Sequence, residues 1–382
     1  MPSLSKMLVI ANTDWFLAQF MSGFLAAHVR TGVEVHAASP PGAYVGQLRG
    51  CGVHWSPVPI SRGRGSLGSN IAAVASIRRL EQETRPDLVH FVTAKAVALG
   101  NLALIGRAGL RVINVLPGLG HAFSSPGVQA SIDRKILQWG VSWSAARPLS
   151  ITVFHQTADK DRMLAPGNRG RGRTRVIPGW GVDMERFSQE HRPTDPPLVV
   201  LVSRMLWSKG IAEFVELASR NRGAAPARYV MVGEPDMGNP APVPTRQLEE
   251  WNRSGVVEWW GHRRDIPEVL AKATVFVFPS RYGEGVPQAL IEAAAMGIPI
   301  VASDLPGCRE VVESGVNGWL VPPGDVARLA EAILDLLRDP EMRRRMGAKG
   351  REMAQQRFAI DGVVRAYAAL YQEMGLTWAA PA

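Results

Sequence analysis

The sequence predicts an α/β protein built from two doubly wound parallel sheets that face each other across a cleft. Three observations carry this. Short apolar runs alternate with stretches of helical period, the pattern of β-α units around a parallel sheet. The pattern breaks at the polar, proline-rich "HRPTDPP" (191–197) and then starts again. Finally, 382 residues with 46% hydrophobic and 20% charged side chains make an ordinary globular composition in a chain too long for one core.

In the first half, "MLVIAN" (7–12), "VEVHAAS" (33–39), "LVHFVT" (88–93), "RVINVL" (111–116) and "SITVFH" (150–155) read as buried strands. "NIAAVASIRRLEQE" (70–83) has helical period, and "RPDLVHFV" is a helix end, a proline break and a strand in succession. In the second half the strands are "LVVLVSR" (198–204), "RYVMVG" (228–233), "VVEWWG" (256–261), "VFVFP" (275–279) and "IPIVASD" (298–304). Helices are expected at 210–220, 265–272, 287–296 and 325–338, and amphipathic "AIDGVVRAYAALYQEM" (359–374) closes the chain. The expected division is 1–190, 191–358 and a terminal helical segment, 359–382, that crosses back to the first domain. No internal repeat is visible. In such sheets, ligands sit outside the carboxyl ends of the strands.

The net charge of +9 belongs to one half. Residues 1–190 hold 21 Lys/Arg against 11 Asp/Glu, and residues 191–382 hold 22 against 23. A basic field of this size attracts nucleic acid, an anionic membrane surface or a phosphorylated substrate. Cys51 and Cys308 match no metal-ligand spacing and point to a reducing, cytosolic setting. "MLVIA" after Lys6 is too short for a signal peptide, and "WFLAQFMSGFLAAHV", broken by Gln19, Ser22 and Gly23, falls short of a bilayer span. A cytoplasmic protein, soluble or peripheral at the inner face of the membrane, is expected.

The densest chemistry lies in "GEGVPQALIEAAAMGIPIVASDLPG" (283–307). It follows the strand "VFVFPS", so "RYGEG" is a loop on the ligand edge. Pro287 suits the start of a helix, and Gly297 with Pro299 suits its stop. Glu284 then precedes the helix N-terminus and Glu292 lies more than one turn inside it. The first-turn N–H groups and the positive end of the dipole favour a diphosphate, beside Gly285, Val286 and Pro287. Two carboxylates flanking an anion site suit a nucleoside diphosphate sugar, with a polyol at each end.

Together with "SRMLWSKG" (203–210), this segment resembles the family 4 retaining glycosyltransferases of the GT-B fold, whose mark is E-x7-E, met here by Glu284 and Glu292. The resemblance implies a Rossmann-like acceptor domain followed by a Rossmann-like nucleotide-sugar domain. It implies that Glu284 contacts donor-sugar hydroxyls, Glu292 the ribose, and Arg204 and Lys209 the diphosphate, where two cations stabilise the leaving group. It places the base, with UDP favoured, against Gly261, His262 and Arg263. "VIPGWGVDMERF" (176–187) looks like the segment before the family's linker, and "GVNGWLVPPGD" (315–325) like the loop entering its penultimate helix. "NTDWFLAQF", "PDLVHFVTAKAVALGN", "LPGLGHAFSS" and "MVGEPDMGNPAPVP" resemble bacterial enzymes that extend polyprenyl-diphosphate-linked saccharides. The partners so implied are a nucleotide sugar, a lipid-linked acceptor and an anionic membrane, without nucleic acid. On the acceptor side the family's glycine pair is replaced by Asn12, Thr13 and Asp14, next to Trp15. The family's histidine after the strand equivalent to "VINVL" is replaced by Pro117-Gly118, which leaves His121 as the candidate substitute.

Several features have plainer readings. Asp159-Lys160-Asp161 imitates a D-x-D metal motif but opens a charged helix, where capping is the better account. His90 and His155 read as strand-end hydrogen-bonding groups, and "NRGRGRTR" (168–175) as a basic loop. Trp15-Phe16 reads as the hydrophobic tip of an acceptor loop, with simple core packing as the alternative. Arg62, Arg64, Arg134 and Lys135 are the candidate membrane-facing cations. No metal and no cofactor beyond the nucleotide-sugar co-substrate is expected. The leading function is a metal-independent, retaining hexosyl or N-acetylhexosaminyl transferase. An epimerase of the same fold, a phosphorylase and a nucleic-acid-binding protein stand as alternatives.

Overall fold

The computed structural model describes the chain except residues 63–64, 108, 120–127, 165–172, 189–192, 240, 284 and 381–382; the side chains of 128–133 and 145 are also outside the description. The chain forms two compact units, Met1–Gly181 with Ile360–Ala382, and Val182–Ala359. The passage between units therefore falls ahead of the proline-rich segment at 191–197, and the terminal segment belongs to the first unit.

The first unit holds β1 (Lys6–Ala11), β2 (Glu34–Ser39), β3 (His54–Pro57), β4 (Leu88–Val92), β5 (Arg111–Leu116), β6 (Ser150–Phe154) and β7 (Thr174–Val176). They form one parallel sheet in the order β3-β2-β1-β4-β5-β6-β7. Alternate residues of β1 enter opposite cores: Met7, Val9 and Ala11 one, Leu8 and Ile10 the other. Both faces are covered, which is why the strand is apolar without alternation. Helices Leu67–Thr84, Ala94–Ala103 and Val128–Ala145 cover one face. Helices Asp14–Phe20, Ser22–Arg30 and the terminal Ile360–Glu373 cover the other.

Ile360–Glu373 is held by more than apolar contact. Tyr367 and Tyr371 are fully buried. His28 Nδ1–H donates to the Phe24 carbonyl at 2.8 Å, so Nε2 is free to accept from the Tyr371 hydroxyl at 3.1 Å. That hydroxyl in turn accepts from His90 Nε2–H at 3.2 Å, which leaves His90 Nδ1 unprotonated and without a partner. Trp378 stacks on His28 at 3.9 Å between ring centres.

The second unit holds β8 (Leu198–Val202), β9 (Arg228–Val232), β10 (Glu258–Trp259), β11 (Val275–Phe278), β12 (Ile300–Ser303) and β13 (Gly318–Val321). Their order is β10-β9-β8-β11-β12-β13, again all parallel. Each sheet thus reverses its winding once, between β1 and β4 and between β8 and β11, and such reversals are where doubly wound sheets bind ligands. Residues 318–321, where the sequence predicts a loop, are an edge strand. Helix Pro340–Arg357 shows no apolar stripe in the sequence, because charged residues dominate it and, of its larger side chains, only Met346 and Ala354 are buried. It docks through small residues instead: a Cβ on Gly347 would lie 2.0 Å from the Gly297 carbonyl oxygen.

Candidate functional site

The carboxyl edge of the second sheet gathers most of the singled-out residues. The chain leaves β8 at Val202, passes Ser203 and Arg204, and makes one 3₁₀ turn, Trp207–Lys209. Gly210 ends the turn at φ +75 and starts helix Ile211–Asn221. A Cβ there would lie 2.0 Å from the Pro279 carbonyl oxygen, so only glycine lets the turn close onto the end of β11. Arg281 N–H donates to the Ser208 carbonyl at 2.9 Å, and Ser280 Oγ donates to the same oxygen at 3.1 Å. On the other side Met205 N–H donates to Glu234 O, and Val243 N–H to Met205 O, each at 2.9 Å. The stretch carrying Arg204 and Lys209 is therefore clamped between the exits of β9 and β11.

Asp236 aims Arg204: Nη1 donates to Oδ2 at 2.7 Å, while Oδ1 accepts from Gly238 N–H at 3.1 Å. Sequence reading did not single out Asp236, although it lies in "MVGEPDMGN", on the exit of the strand paired with β8. Lys209 is only 7% exposed, with its ammonium 5.3 Å from the centre of the Phe278 ring. A cation so placed acts through little water and is weakly screened toward a neighbouring anion.

The helix after β11 runs Gln288–Ala295, with Pro287 as its N-cap rather than its first residue. Gly297 stops it at φ +71, and Ile298 N–H closes back to Ala293 O at 3.1 Å. Gly285 and Val286 are half-buried beside the cap. Glu284 lies outside the described residues. Burial pushes the Glu292 carboxyl up to about 7, against the opposing pull of Arg186 and a hydrogen bond from Gln288. Part of the side chain still reaches the surface.

After β10, Gly261 takes φ +63, and its carbonyl accepts from Gly233 N–H at 2.7 Å. Trp259 Nε1 donates to the Gly233 carbonyl at 2.8 Å, and the half-buried indole packs against the core of the second unit. His262 and Arg263 are exposed, and Arg263 pairs with Asp265, its Nε 2.8 Å from Oδ1. Thus Arg204, Lys209, Gly261 and Gly285–Pro287 share one edge, with His262 and Arg263 at its periphery.

In the first unit, Thr13 caps helix Asp14–Phe20 by accepting from Phe16 N–H at 3.0 Å. Asp14 is buried, and its carboxylate accepts from Trp15 N–H and from Tyr44 N–H, each at 2.8 Å. It fixes the exit of β2, and a Cβ on Gly42 would run into it. Asn12 is half-buried at the exit of β1. Trp15 and Phe16 are half-buried and pack on Phe20, at 5.1 and 4.9 Å between ring centres. They form no exposed apolar tip, because Phe20 on the same helix covers them. His121 and Arg64 lie outside the described residues.

Thr93, at the exit of β4, has φ +82, rare for a β-branched residue. Its hydroxyl is buried without a partner. Only the fold reveals this strain, since no local pattern marks it. Asp159 is buried and accepts from Leu119 N–H at 3.2 Å, whereas Asp161 is exposed. Residues two apart on a helix point apart, so the pair does not converge on one ion. His155 is buried, and desolvation lowers its pKa to about 3.

Residues 183–353 match the family described as glycosyl transferases group 1, and residues 17–180 match the glycosyl transferase 4-like domain. This chain belongs to the family 4-like, group 1 glycosyltransferases. Among curated relatives of this glycosyltransferase is the Campylobacter jejuni N,N'-diacetylbacillosaminyl-diphospho-undecaprenol alpha-1,3-N-acetylgalactosaminyltransferase, 27% identical over 68% of the chain and 70% of the relative. Another is the Escherichia coli UDP-Gal:alpha-D-GlcNAc-diphosphoundecaprenol alpha-1,3-galactosyltransferase, 24% identical over 72% of each. Anabaena HepE, solved in complex with UDP, superimposes with a TM-score of 0.77 at 20% identity, covering 96% of this chain and 99% of that one. The glycosyltransferase therefore has the GT-B fold, with two Rossmann-like domains. Among its described residues no helix is long and apolar enough to cross a membrane.

Proposed function

We propose that this glycosyltransferase moves a hexose or N-acetylhexosamine from a nucleotide sugar, with UDP favoured, to a polyprenyl-diphosphate-linked saccharide, retaining the anomeric configuration. One observation carries the reading: Arg204, Lys209 and the N-terminus of helix Gln288–Ala295 share the carboxyl edge at the β8/β11 reversal. Two cations and a helix N-terminus suit a diphosphate, and they stabilise the charge that grows on it as the glycosidic bond breaks. Glu284 takes donor-sugar hydroxyls, Glu292 the ribose, Gly285 to Pro287 the phosphates, and Gly261 to Arg263 the base. Asn12, Thr13, Asp14, Trp15 and His121 belong to the acceptor side, where Thr13 and Asp14 act by shaping the backbone.

In the transfer the anomeric C–O bond to the diphosphate breaks and a bond to the acceptor oxygen forms on the same face. The acceptor proton passes to a diphosphate oxygen. No metal takes part in this scheme, because the charge is met by Arg204, Lys209 and the helix. Transfer is expected to survive excess EDTA, and complete loss restored by Mn²⁺ overturns metal independence. The first test is a panel of UDP- and GDP-sugars with a polyprenyl-diphosphate-linked acceptor. Release of UDP that depends on the acceptor supports the reading, and absence of turnover with every donor sinks it.

Membrane docking is part of the proposal. Residues 61–147 hold 11 Lys/Arg against 4 Asp/Glu. Leu67 (79% exposed), Ile71 (61%), Ile136 (48%) and Trp139 (44%) all lie on the helical layer Leu67–Thr84, Ala94–Ala103 and Val128–Ala145. Arg62, Arg78 and Lys135 are exposed on the same layer or the loop leading into it. Each such cation adds about 1 kcal/mol of attraction to an acidic leaflet. The protein is expected to pellet with phosphatidylglycerol vesicles at low salt but not with neutral ones. Equal pelleting points to a water-soluble acceptor.

A further inference from the structure

Glu213 is 8% exposed in the first turn of helix Ile211–Asn221, and one of its carboxylate oxygens, Oε2, is buried without a partner. The other, Oε1, lies 3.1 Å from Arg281 Nε. Leaving one oxygen of a buried carboxylate unsatisfied carries a desolvation penalty larger than that of a neutral polar group. The fold keeps this carboxylate at one particular place. Glu213 follows the turn of Lys209, and Arg281 opens the loop that runs through Tyr282 and Gly283 to the cap at Pro287. The ion pair therefore ties the diphosphate-facing cation to the loop of the E-x7-E motif. It acts beside the Arg281 N–H and Ser280 Oγ bonds to the Ser208 carbonyl, which join the same two segments.

We propose that Glu213 is a positioning residue, which through Arg281 holds the loop between β11 and helix Gln288–Ala295 against the Lys209 turn before any ligand arrives. The proposal rests on the donor-site reading above. Arg281 is 63% exposed on its side chain, so its pairing with water alone would be cheap; the buried partner confines it. With the latch broken, the helix N-terminus and Lys209 no longer keep a fixed separation, and small displacements of positioning groups cost heavily in rate.

Hydrogen exchange of the full chain tests the latch without any substrate. In Glu213→Gln and in Arg281→Gln, peptides spanning 279–291 are expected to exchange about tenfold faster, with β12 peptides unchanged. The double variant is expected to be no worse than the worse single one, as for two members of one interaction. With a UDP-sugar, kcat falls about tenfold in Glu213→Gln while KM stays within about threefold. Unchanged exchange at 279–291 overturns the proposal. So does a rise spread evenly over the second unit, which would make Glu213 a general stabiliser. If no nucleotide sugar binds or reacts with the native protein, the function fails while the exchange result still decides the latch.

Discussion

Arg204 and Glu292 are the two side chains whose chemistry is most open to test one residue at a time. Asp236 holds Arg204 in a single direction, so Arg204→Ala is expected to lower turnover by about a hundredfold or more. Asp236→Asn is expected to cost less, since it leaves the cation and loosens only its aim. A folded Arg204→Ala protein with native kcat removes Arg204 from the site. Glu292 offers a pH signature. Its carboxyl, raised to about 7 by burial, is largely neutral at pH 6 and ionised at pH 8. Ribose hydroxyls need an acceptor, so UDP binding is expected to tighten as pH rises across 7. In Glu292→Gln this slope should flatten to what the nucleotide's own phosphate contributes. Calorimetric titrations at pH 6 and 8 on both proteins decide the point. The sign for stability is opposite: a carboxyl whose folded pKa is raised stabilises below its unfolded value and loses that contribution as pH rises through 7.

At the scale of elements, glycines set how closely the pieces of the site approach. Gly210 lets the Lys209 turn touch the exit of β11, and Gly347 lets helix Pro340–Arg357 touch the C-terminal end of helix Gln288–Ala295. Gly210→Ala meets a backbone carbonyl and a positive φ together, and it is expected to cost roughly 2–4 kcal/mol. Gly32→Ala is a matched control, because it shares the positive φ while nothing lies within 4 Å of the added carbon. Equal melting temperatures for the two variants would show that the close approach at Gly210 is not tight. The strand that sequence reading passed over, β13, and helix Pro340–Arg357 share a cause. Neither shows a period: β13 is only 4 residues long, the apolar residues of the helix are sparse among charged ones, and backbone pairing or close backbone contact helps to hold each.

For the whole molecule, the first unit depends on a segment distant in sequence. His28, His90 and Tyr371 form one buried chain of hydrogen bonds between helix Ser22–Arg30, β4 and the terminal helix. Desolvation lowers the His28 pKa to about 4 and holds His90 well below the ordinary value. A histidine with a depressed folded pKa contributes stability that is present above about 6.5 and is lost as pH falls toward 4. For His28 alone the full contribution is roughly 3 kcal/mol. Melting temperature is expected to drop between pH 6.5 and 4, and less steeply in His28→Gln. Removal of residues 360–382 is expected to unfold the first unit at ordinary temperature, because Tyr367 and Tyr371 leave its core. A truncated chain with native melting would contradict that dependence.

The sequence by itself determined the α/β class, the two sheets, the helix between Pro287 and Gly297 and the sheet edge on which Arg204 and Lys209 stand. Those are local matters: an apolar run, a proline, a glycine stop and a spacing are complete within a few residues of chain. Only the tertiary structure decided that Asp236 aims Arg204 and that Glu213 reaches Arg281. It also put Asp14 to work on the β2 exit and strained Thr93 at the exit of β4. Each of these depends on which segments the winding of a sheet or the packing of a helix brings side by side, and on how much water the contact excludes. Partners chosen by packing across tens of residues leave no periodic mark in the chain, so burial and pairing become visible only once the sheets are assembled.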